Sequence, residues 1–414
     1  MSYDWPVLPL EQCLDALIDY RGKTPEKTEF GVPLVTAKVI KGGRIERPTE
    51  FIATQAYESW MRRGIPRAGD VVLTTEAPLG EVAQLGHERV ALAQRVVTLR
   101  GKAGLLDNAY LRYLLQTEEL QSQLAARATG TTVLGIKQSE LRKVLVRISP
   151  IDMQRSAASL LASLDDRIAI LRETNATLEA IGRALFRSWF VDFDPVRAKS
   201  QGLAPAGMDE ATAALFPDSF EESALGAVPK GWPIKTLQDL LVLQRGFDLP
   251  AQDHIPGDFP IIAASGPSGT HAKAMAKGPG VVTGRSGVLG RVFLERDDHW
   301  PLNTTLWVKE FRGATACYAY EVLKLLDFKA FNAGSAVPTL NRNHIHGLAY
   351  LIPPLACVEA YEVLATRLHQ RARLNAQQAQ TLATLRDTLL PRLISGQIRL
   401  PLTQEAIAEA THAD

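Results

Sequence analysis

The chain has 414 residues, 46% hydrophobic and 22% charged, and carries a formal net charge of only +1. This size supports two or three domains that each bury a core, and the composition is that of an ordinary soluble globular protein. It excludes a membrane span, because no run of 18 apolar residues occurs, and the opening Met-Ser-Tyr-Asp-Trp-Pro lacks the basic and apolar regions of a signal peptide.

In chain order, residues 1–150 read as an α/β part. Short β-rich runs lie at 33–40, 71–75, 95–99 and 144–148, and one amphipathic helix is predicted over 108–126. Pro150 ends the last strand and opens a long helix over 151–192. Residues 193–230, rich in Ala, Gly, Pro and acid, read as a connector. Residues 191–228 carry 2 Lys+Arg against 7 Asp+Glu, so the acidic excess sits there and leaves the flanking parts mildly basic. Residues 231–354 form a second α/β part, with strands at 260–264, 281–283, 291–294, 304–308 and 348–352 and a helix over 315–331. A second long helix follows over 355–396, and 397–414 form a tail.

The chain repeats itself. Residues 131–189 align without a gap on 335–393, a shift of 204. Val133 falls on Val337, Ile136 on Leu340, Pro150 on Pro354, Leu164 on Leu368, Leu178 on Leu382 and Leu185 on Leu389. Earlier segments align with changing offsets. Arg21-Gly22 matches Arg245-Gly246, and Leu79-Gly80-x-Val82 matches Leu289-Gly290-x-Val292. Two copies of one unit imply a pseudo-twofold molecule.

Each long helix carries an apolar seam with the same spacing of threes and fours. The first runs Met153, Ala157, Leu160, Leu164, Ile168, Leu171, Asn175, Leu178, Ile181, Leu185, Trp189. The second runs Cys357, Tyr361, Leu364, Leu368, Ala372, Asn375, Ala379, Leu382, Leu385, Leu389, Leu393. Such a seam needs a partner, and the other copy supplies one as an antiparallel coiled coil of about 55 Å. Antiparallel pairing about the middle of the stripe predicts an Asn175–Asn375 contact that fixes register.

Catalytic chemistry is not signalled. Gly284-Arg-Ser-Gly-Val-Leu-Gly290 lacks the Gly-Lys-Ser/Thr ending of a phosphate loop, and no Gly-x-Gly-x-x-Gly marks a dinucleotide or methyl-donor pocket. His344-x-His346, expected on a strand, has no third ligand at metal spacing. Cys13, Cys317 and Cys357 are isolated, with neither metal spacing nor a disulfide framework, so a reducing cytoplasm is the expected location. No cofactor and no metal are expected.

Three polar, glycine-bearing segments recur between strands, and these are the candidates for binding. They are 36–44 with 264–271, 74–80 with 283–290, and 130–138 with 334–342. Glycine permits close backbone approach, while hydroxyls, amides and basic groups suit phosphates and base edges. The candidate DNA-binding residues are Lys38, Lys41, Arg44, Thr75, Lys137, Gln138, Arg285, Ser286, Ser335, Asn341 and Arg342. For helix pairing or partner docking they are Leu164, Leu171, Asn175, Leu178, Leu185, Trp189, Leu368, Asn375, Leu382 and Leu389.

The run Leu178-Glu-Ala-Ile-Gly-Arg-Ala-Leu-Phe-Arg-Ser-Trp-Phe-Val-Asp-Phe-Asp-Pro195 resembles the central conserved region of Type I restriction-modification specificity subunits. The run Leu385-Arg-Asp-Thr-Leu-Leu-Pro-Arg-Leu-Ile-Ser-Gly-Gln-Ile398 resembles their C-terminal conserved region, and Gly334-Ser-Ala-Val-Pro-Thr-Leu340 the end of a target recognition domain. The resemblance implies two α/β (α+β) target recognition domains, 1–150 and 231–354, joined by two long conserved helices. It implies a non-catalytic subunit that reads double-stranded DNA, one domain per half of a bipartite target. It also implies docking of methyltransferase subunits, one per half, and recruitment of restriction/translocase subunits through them. One departure is visible: Thr-Glu-Ala-Pro in the first copy stands where the second has Gly-Arg-Ser-Gly, so the halves are expected to read different sequences. The competing classes are a two-module protein adaptor without DNA binding, which the near-zero net charge suits, and a stand-alone methyltransferase, which the missing pocket motifs oppose.

Overall fold

The computed structural model describes residues 5–20, 24–131, 133–331 and 338–400, except the side chain of Lys329. The chain folds as two units. One comprises Met1–Leu171 with Gln377–Asp414, the other Arg172–Ala376.

In the first unit a four-stranded antiparallel sheet has the order Leu14–Asp19, Val96–Gly101, Val71–Thr75, Leu79–Gln84. These runs are rich in β-branched residues, which suit a pleated buried surface. Alternation sends Val71, Leu73, Val97 and Leu99 to one core and Ile18, Val72 and Val96 to another. The first core is closed by helices Asn108–Leu114 and Glu118–Arg127 and by Ala157, Ala158 and Leu161 of the long helix. The second is closed by a three-stranded layer, Phe51–Ile52, Val32–Val35, Ala91–Leu92, whose last two strands run parallel.

The second unit repeats this order. Its four-stranded antiparallel sheet runs Leu241–Arg245, Thr305–Phe311, Gly280–Gly284, Val292–Glu295. Its three-stranded layer is Gly266–His271, Phe259–Ala263, Trp300–Pro301, again with one parallel pair. In each unit a two-stranded ribbon closes just before a long helix: Val7–Pro9 with Leu145–Arg147, and Ile234–Thr236 with Ala349–Leu351. The duplication expected from the sequence is therefore present in strand order and direction.

The long helices span Ile151–Phe190 and Leu355–Ile394. Each begins one residue after its proline, which has no N–H to place in a preceding strand ladder. In the first unit Ile168 and Leu171 pack on Ala379, with Leu382 and Ala383 alongside. In the second unit Asn375 Nδ2 donates to Asn175 Oδ1 at 2.9 Å, and Asn175 Nδ2 donates to the Ala372 carbonyl at 2.9 Å. The Tyr361 hydroxyl donates to the Gly182 carbonyl. Position numbers rise on one helix as they fall on the other, so the pairing is antiparallel in each unit. The contact expected between the seam asparagines is made.

The seam is less regular than its spacing. Leu164, Leu178 and Leu368 are half-buried, but Ile181, Leu385 and Leu364 are 48%, 45% and 39% exposed. Buried positions move instead to Leu161, Asp165 and Phe186. The reason is that each helix end covers a globular core as well as the other helix, so its buried stripe widens and turns. Leu389 packs on the first core and Leu185 on the second unit's core, where Trp189 is buried.

Four other expectations are corrected. Residues 193–230 are not a bare connector: they hold helices Asp194–Ser200 and Glu210–Ala214 and the hairpin Phe220–Ser223/Gly226–Pro229, and they bury Val196, Phe216 and Val228. The helix expected over 108–126 is two, broken between Leu114 and Glu118. The helix expected over 315–331 stops at Leu325 and resumes as a short 3-10 turn at Phe328–Phe331. His344 and His346 lie on the helix Arg342–His346, not on a strand.

Candidate nucleic-acid interface

In each unit the recurring loops meet at one corner of the four-stranded sheet. In the first, the Ile136 N–H donates to the Thr75 carbonyl at 3.0 Å, and Thr129 and Gly135 exchange two backbone hydrogen bonds of 2.9 Å. This fastens the 129–136 loop to the 75–79 turn and leaves Val133 and Leu134 exposed at its tip. Gly130, at φ 123°, is needed here: a Cβ would lie 2.1 Å from the Val133 carbonyl oxygen. Glu76 and Arg95 pair at 3.3 Å on the same surface. In the second unit the Leu340 N–H donates to the Arg285 carbonyl at 2.9 Å, and Gly287 N–H to the Pro338 carbonyl at 2.9 Å. Arg285 and Ser286 both donate their N–H to the Thr304 carbonyl, at 2.8 and 3.0 Å. Arg285 and Ser286 thus occupy the place of Thr75 and Glu76.

Individual candidates divide. Lys38, Lys137 and Arg342 are exposed, and Gln138 and Ser286 half-exposed. Lys41 is exposed and pairs with Glu46 at 3.2 Å on the hairpin Ile40–Lys41/Arg44–Ile45, turned by Gly42 and Gly43 at positive φ. Three residues are engaged otherwise. Thr75 is 1% exposed, and its hydroxyl donates to the Arg95 carbonyl. Arg44 Nη2 donates to the Asp165 carbonyl at 2.7 Å, so this guanidinium holds the hairpin to the long helix. The Asn341 side chain accepts from the Asn343 N–H and caps the helix Arg342–His346. Ser335 lies outside the described residues.

The sequence reading missed a charged hub in the first unit. Asp165, 6% exposed, accepts from Arg112 at 2.5 Å, Arg386 at 2.7 Å and the Tyr113 hydroxyl at 2.8 Å. Only the buried place of a charged residue in an apolar helix stripe could have signalled it. It also missed Asp248, whose Oδ1 accepts from Arg245 Nη2 at 2.9 Å and from Asn303 Nδ2. Here the repeated Arg-Gly pair was the available signal.

Candidate catalytic groups are occupied structurally. Burial pushes the Cys317 thiol up to about 12 and the Cys357 thiol to about 11, so neither forms thiolate readily. His346 Nε2 accepts from the Leu243 N–H at 2.9 Å, which requires the neutral ring, and burial lowers its pKa. Among the described residues, no group of three or more His, Cys, Asp or Glu side chains could hold a metal ion. No described helix is long and apolar enough to cross a membrane.

Residues 23–180 match the family model of the Type I restriction modification DNA specificity domain. The Type I restriction enzyme MjaIX specificity subunit of Methanocaldococcus jannaschii is 23% identical over 432 residues, covering 96% of this chain and 94% of its own. The chain is thus similar over nearly its whole length to a Type I restriction enzyme specificity subunit. A second such subunit, of the HindI enzyme of Haemophilus influenzae, is 21% identical over 75% of this chain and 82% of its own length. The fold of this chain is also that of the crystal structure of the Type-I restriction-modification system S subunit from M. genitalium. The TM-score is 0.59 at 17% identity, over 94% of this chain and 96% of that one.

Proposed function

We propose that this chain is the non-catalytic DNA-reading subunit of a Type I restriction-modification complex, with one unit reading each half of a bipartite target. The observation that carries the reading is the recurrence of one loop corner on one sheet topology, built from different residues in the two units: Thr75 and Glu76 in one, Arg285 and Ser286 in the other. A conserved scaffold with variable polar loops is the arrangement expected of a recognition module. The parts 1–150 and 231–354 are the two target recognition domains. Lys38, Lys41, Lys137, Gln138, Arg285, Ser286 and Arg342 supply contacts to phosphates or base edges.

The two long helices link the readers and take the partner subunits. Ile181 and Leu385, equivalent by the 204-residue repeat and exposed, offer the same apolar foothold twice, which suits two copies of one methyltransferase subunit. Restriction/translocase subunits join through that complex. The methyl donor and the chemistry belong to the partners, so this chain needs no cofactor of its own.

The test is co-purification with the cognate methyltransferase subunit, then selection from a randomised duplex library. A stable complex that enriches two short motifs at fixed spacing supports the reading. A chain that forms no complex and enriches nothing, even at low salt where phosphate contacts are strongest, refutes it in favour of a protein adaptor.

A further inference from the structure

We infer that Arg245 and Asn303, ordered by Asp248, read bases in the target half taken by the second unit. This rests on the DNA-reading function proposed above and assigns residues to it.

Local geometry brings the three together. The Gly246 N–H donates to the Thr305 carbonyl at 3.0 Å, and the Phe247 N–H to the Pro301 carbonyl at 2.8 Å. Only glycine fits at 246, because a Cβ would stand 2.2 Å from the Leu302 carbonyl oxygen and 2.5 Å from that of Pro301. The end of the strand Leu241–Arg245 is thus pressed onto the 301–305 turn. Phe247 is wedged there against Trp300 and Trp307, with ring centroids 6.5 and 6.0 Å away. Arg245 and Asp248 emerge on either side of this anchor, and Asn303 faces them from the turn.

The same turn supports the Arg285–Ser286 loop, since both N–H groups bind the carbonyl of Thr304, the neighbour of Asn303. Arg245, Asn303 and Arg285 therefore share the sheet corner already described.

The hydrogen bonds then decide what is presented. A carboxylate only accepts, so Asn303 must turn its amide nitrogen towards Asp248. That leaves its Oδ1 and a second N–H for a ligand, the acceptor–donor pair complementary to adenine N6 and N7. Arg245 uses one N–H of Nη2 on Asp248 and keeps the rest of its fork, the match for guanine O6 and N7. The Arg245 side chain is 50% exposed, so its head is reachable by DNA. Holding both groups beforehand lowers the ordering cost of binding.

The experiment uses the chain in complex with its methyltransferase subunits and a randomised duplex library, with sequencing of the selected DNA. Four variants are compared with wild type: Arg245→Lys, Arg245→Ala, Asn303→Ala and Asp248→Ala. Arg245→Lys is expected to weaken a guanine preference at one position of one motif, by roughly fivefold to 150-fold, because lysine keeps the charge but not the fork. Its salt dependence should stay that of wild type. Asn303→Ala should weaken an adenine preference in the same motif, and Asp248→Ala should weaken both. The second motif should be unchanged throughout. The inference is overturned if Arg245→Lys and Asn303→Ala both keep the wild-type profile. It is equally overturned if losses spread over both motifs, or if only Arg245→Ala matters and does so by reducing the salt slope, the mark of a phosphate contact. A wild-type complex that enriches nothing removes the DNA-reading function itself, a result distinct from variants that fail beside a working wild type.

Discussion

The two units solve one packing problem with opposite chemistry. In both, the helix that starts at Asp107 or Thr315 must be fixed to the long helices. In the first unit the joint is ionic: Asp165 gathers Arg112, Tyr113 and Arg386, while its carbonyl takes Arg44. The repeat-equivalent of Asp165 is His369. Its ring meets Tyr320 edge-on at 5.5 Å, and the charges there sit at the rim, where Lys324 binds Glu179 at 2.6 Å. The second unit relies instead on rings: Phe186 and Phe190 lie 5.2 and 4.9 Å from Tyr318. Topology is therefore shared where the backbone must be shared, and side-chain chemistry has diverged even in the joint. A buried ion cluster tolerates little change of one member, whereas an aromatic joint tolerates substitution that conserves volume.

The largest effect should come from breaking the ionic joint. Asp165→Ala takes the carboxylate from Arg112, 14% exposed, and leaves Arg386, 27% exposed, with Asp387 alone; losing one side of a buried pair costs about 3–5 kcal/mol. Denaturant unfolding of the first unit should show it. The comparison sharpens if Asp165→Leu with Arg112→Met and Arg386→Met recovers most of the loss, since removing a whole buried cluster is often nearly neutral. No recovery in the triple variant would mean that the cluster is worth more than its parts.

Next in size is the asparagine pair of the second unit. Asn175→Ala leaves the Asn375 amide, 2% exposed, without its acceptor, at a cost of about 1–3 kcal/mol. Replacing both by leucine should restore or exceed wild-type stability while loosening the antiparallel register. Equal destabilisation by the single and double changes would show that the pair sets no register.

How much of this was readable beforehand follows from which interactions are local. The duplication, both long helices and the asparagine contact were legible, because an apolar period and a fixed offset survive in one dimension. The folded 193–230 segment was not: its Phe216 and Val196 are two apolar residues in an acidic, Pro- and Gly-rich stretch, and their burial depends on a distant core. Nor was the fate of Arg44, Thr75 and Asn341. A basic or hydroxyl side chain in a glycine-rich loop looks the same whether it faces DNA or fastens the loop, and only its three-dimensional neighbours decide. Asp248 was missed for the converse reason, since Arg245 is three residues away but Asn303 is 55 residues along the chain.

The smallest effect should be a difference in acid response. Burial pushes His369 down to about 4 from its ordinary 6.5, with Arg296 adding to the fall and Glu362 opposing it. The groups that face it are Tyr320, Arg296, Glu362, Lys324 and Glu179. Because the folded value is depressed, the unfolded chain binds the extra proton first. The stability associated with the neutral ring is whole above pH 6.5 and is lost as pH falls from 6.5 towards 4. At pH 5.5 the loss is about 1 kcal/mol, one unit below the unfolded value. His369→Phe keeps a ring against Tyr320 and removes the proton site. Its melting temperature should track wild type at pH 7.5 and stand above it by a few degrees at pH 5.5. Parallel curves for the two proteins across that window would mean that the ring is solvated in the folded state, and that the neutral joint is less dry than its packing implies.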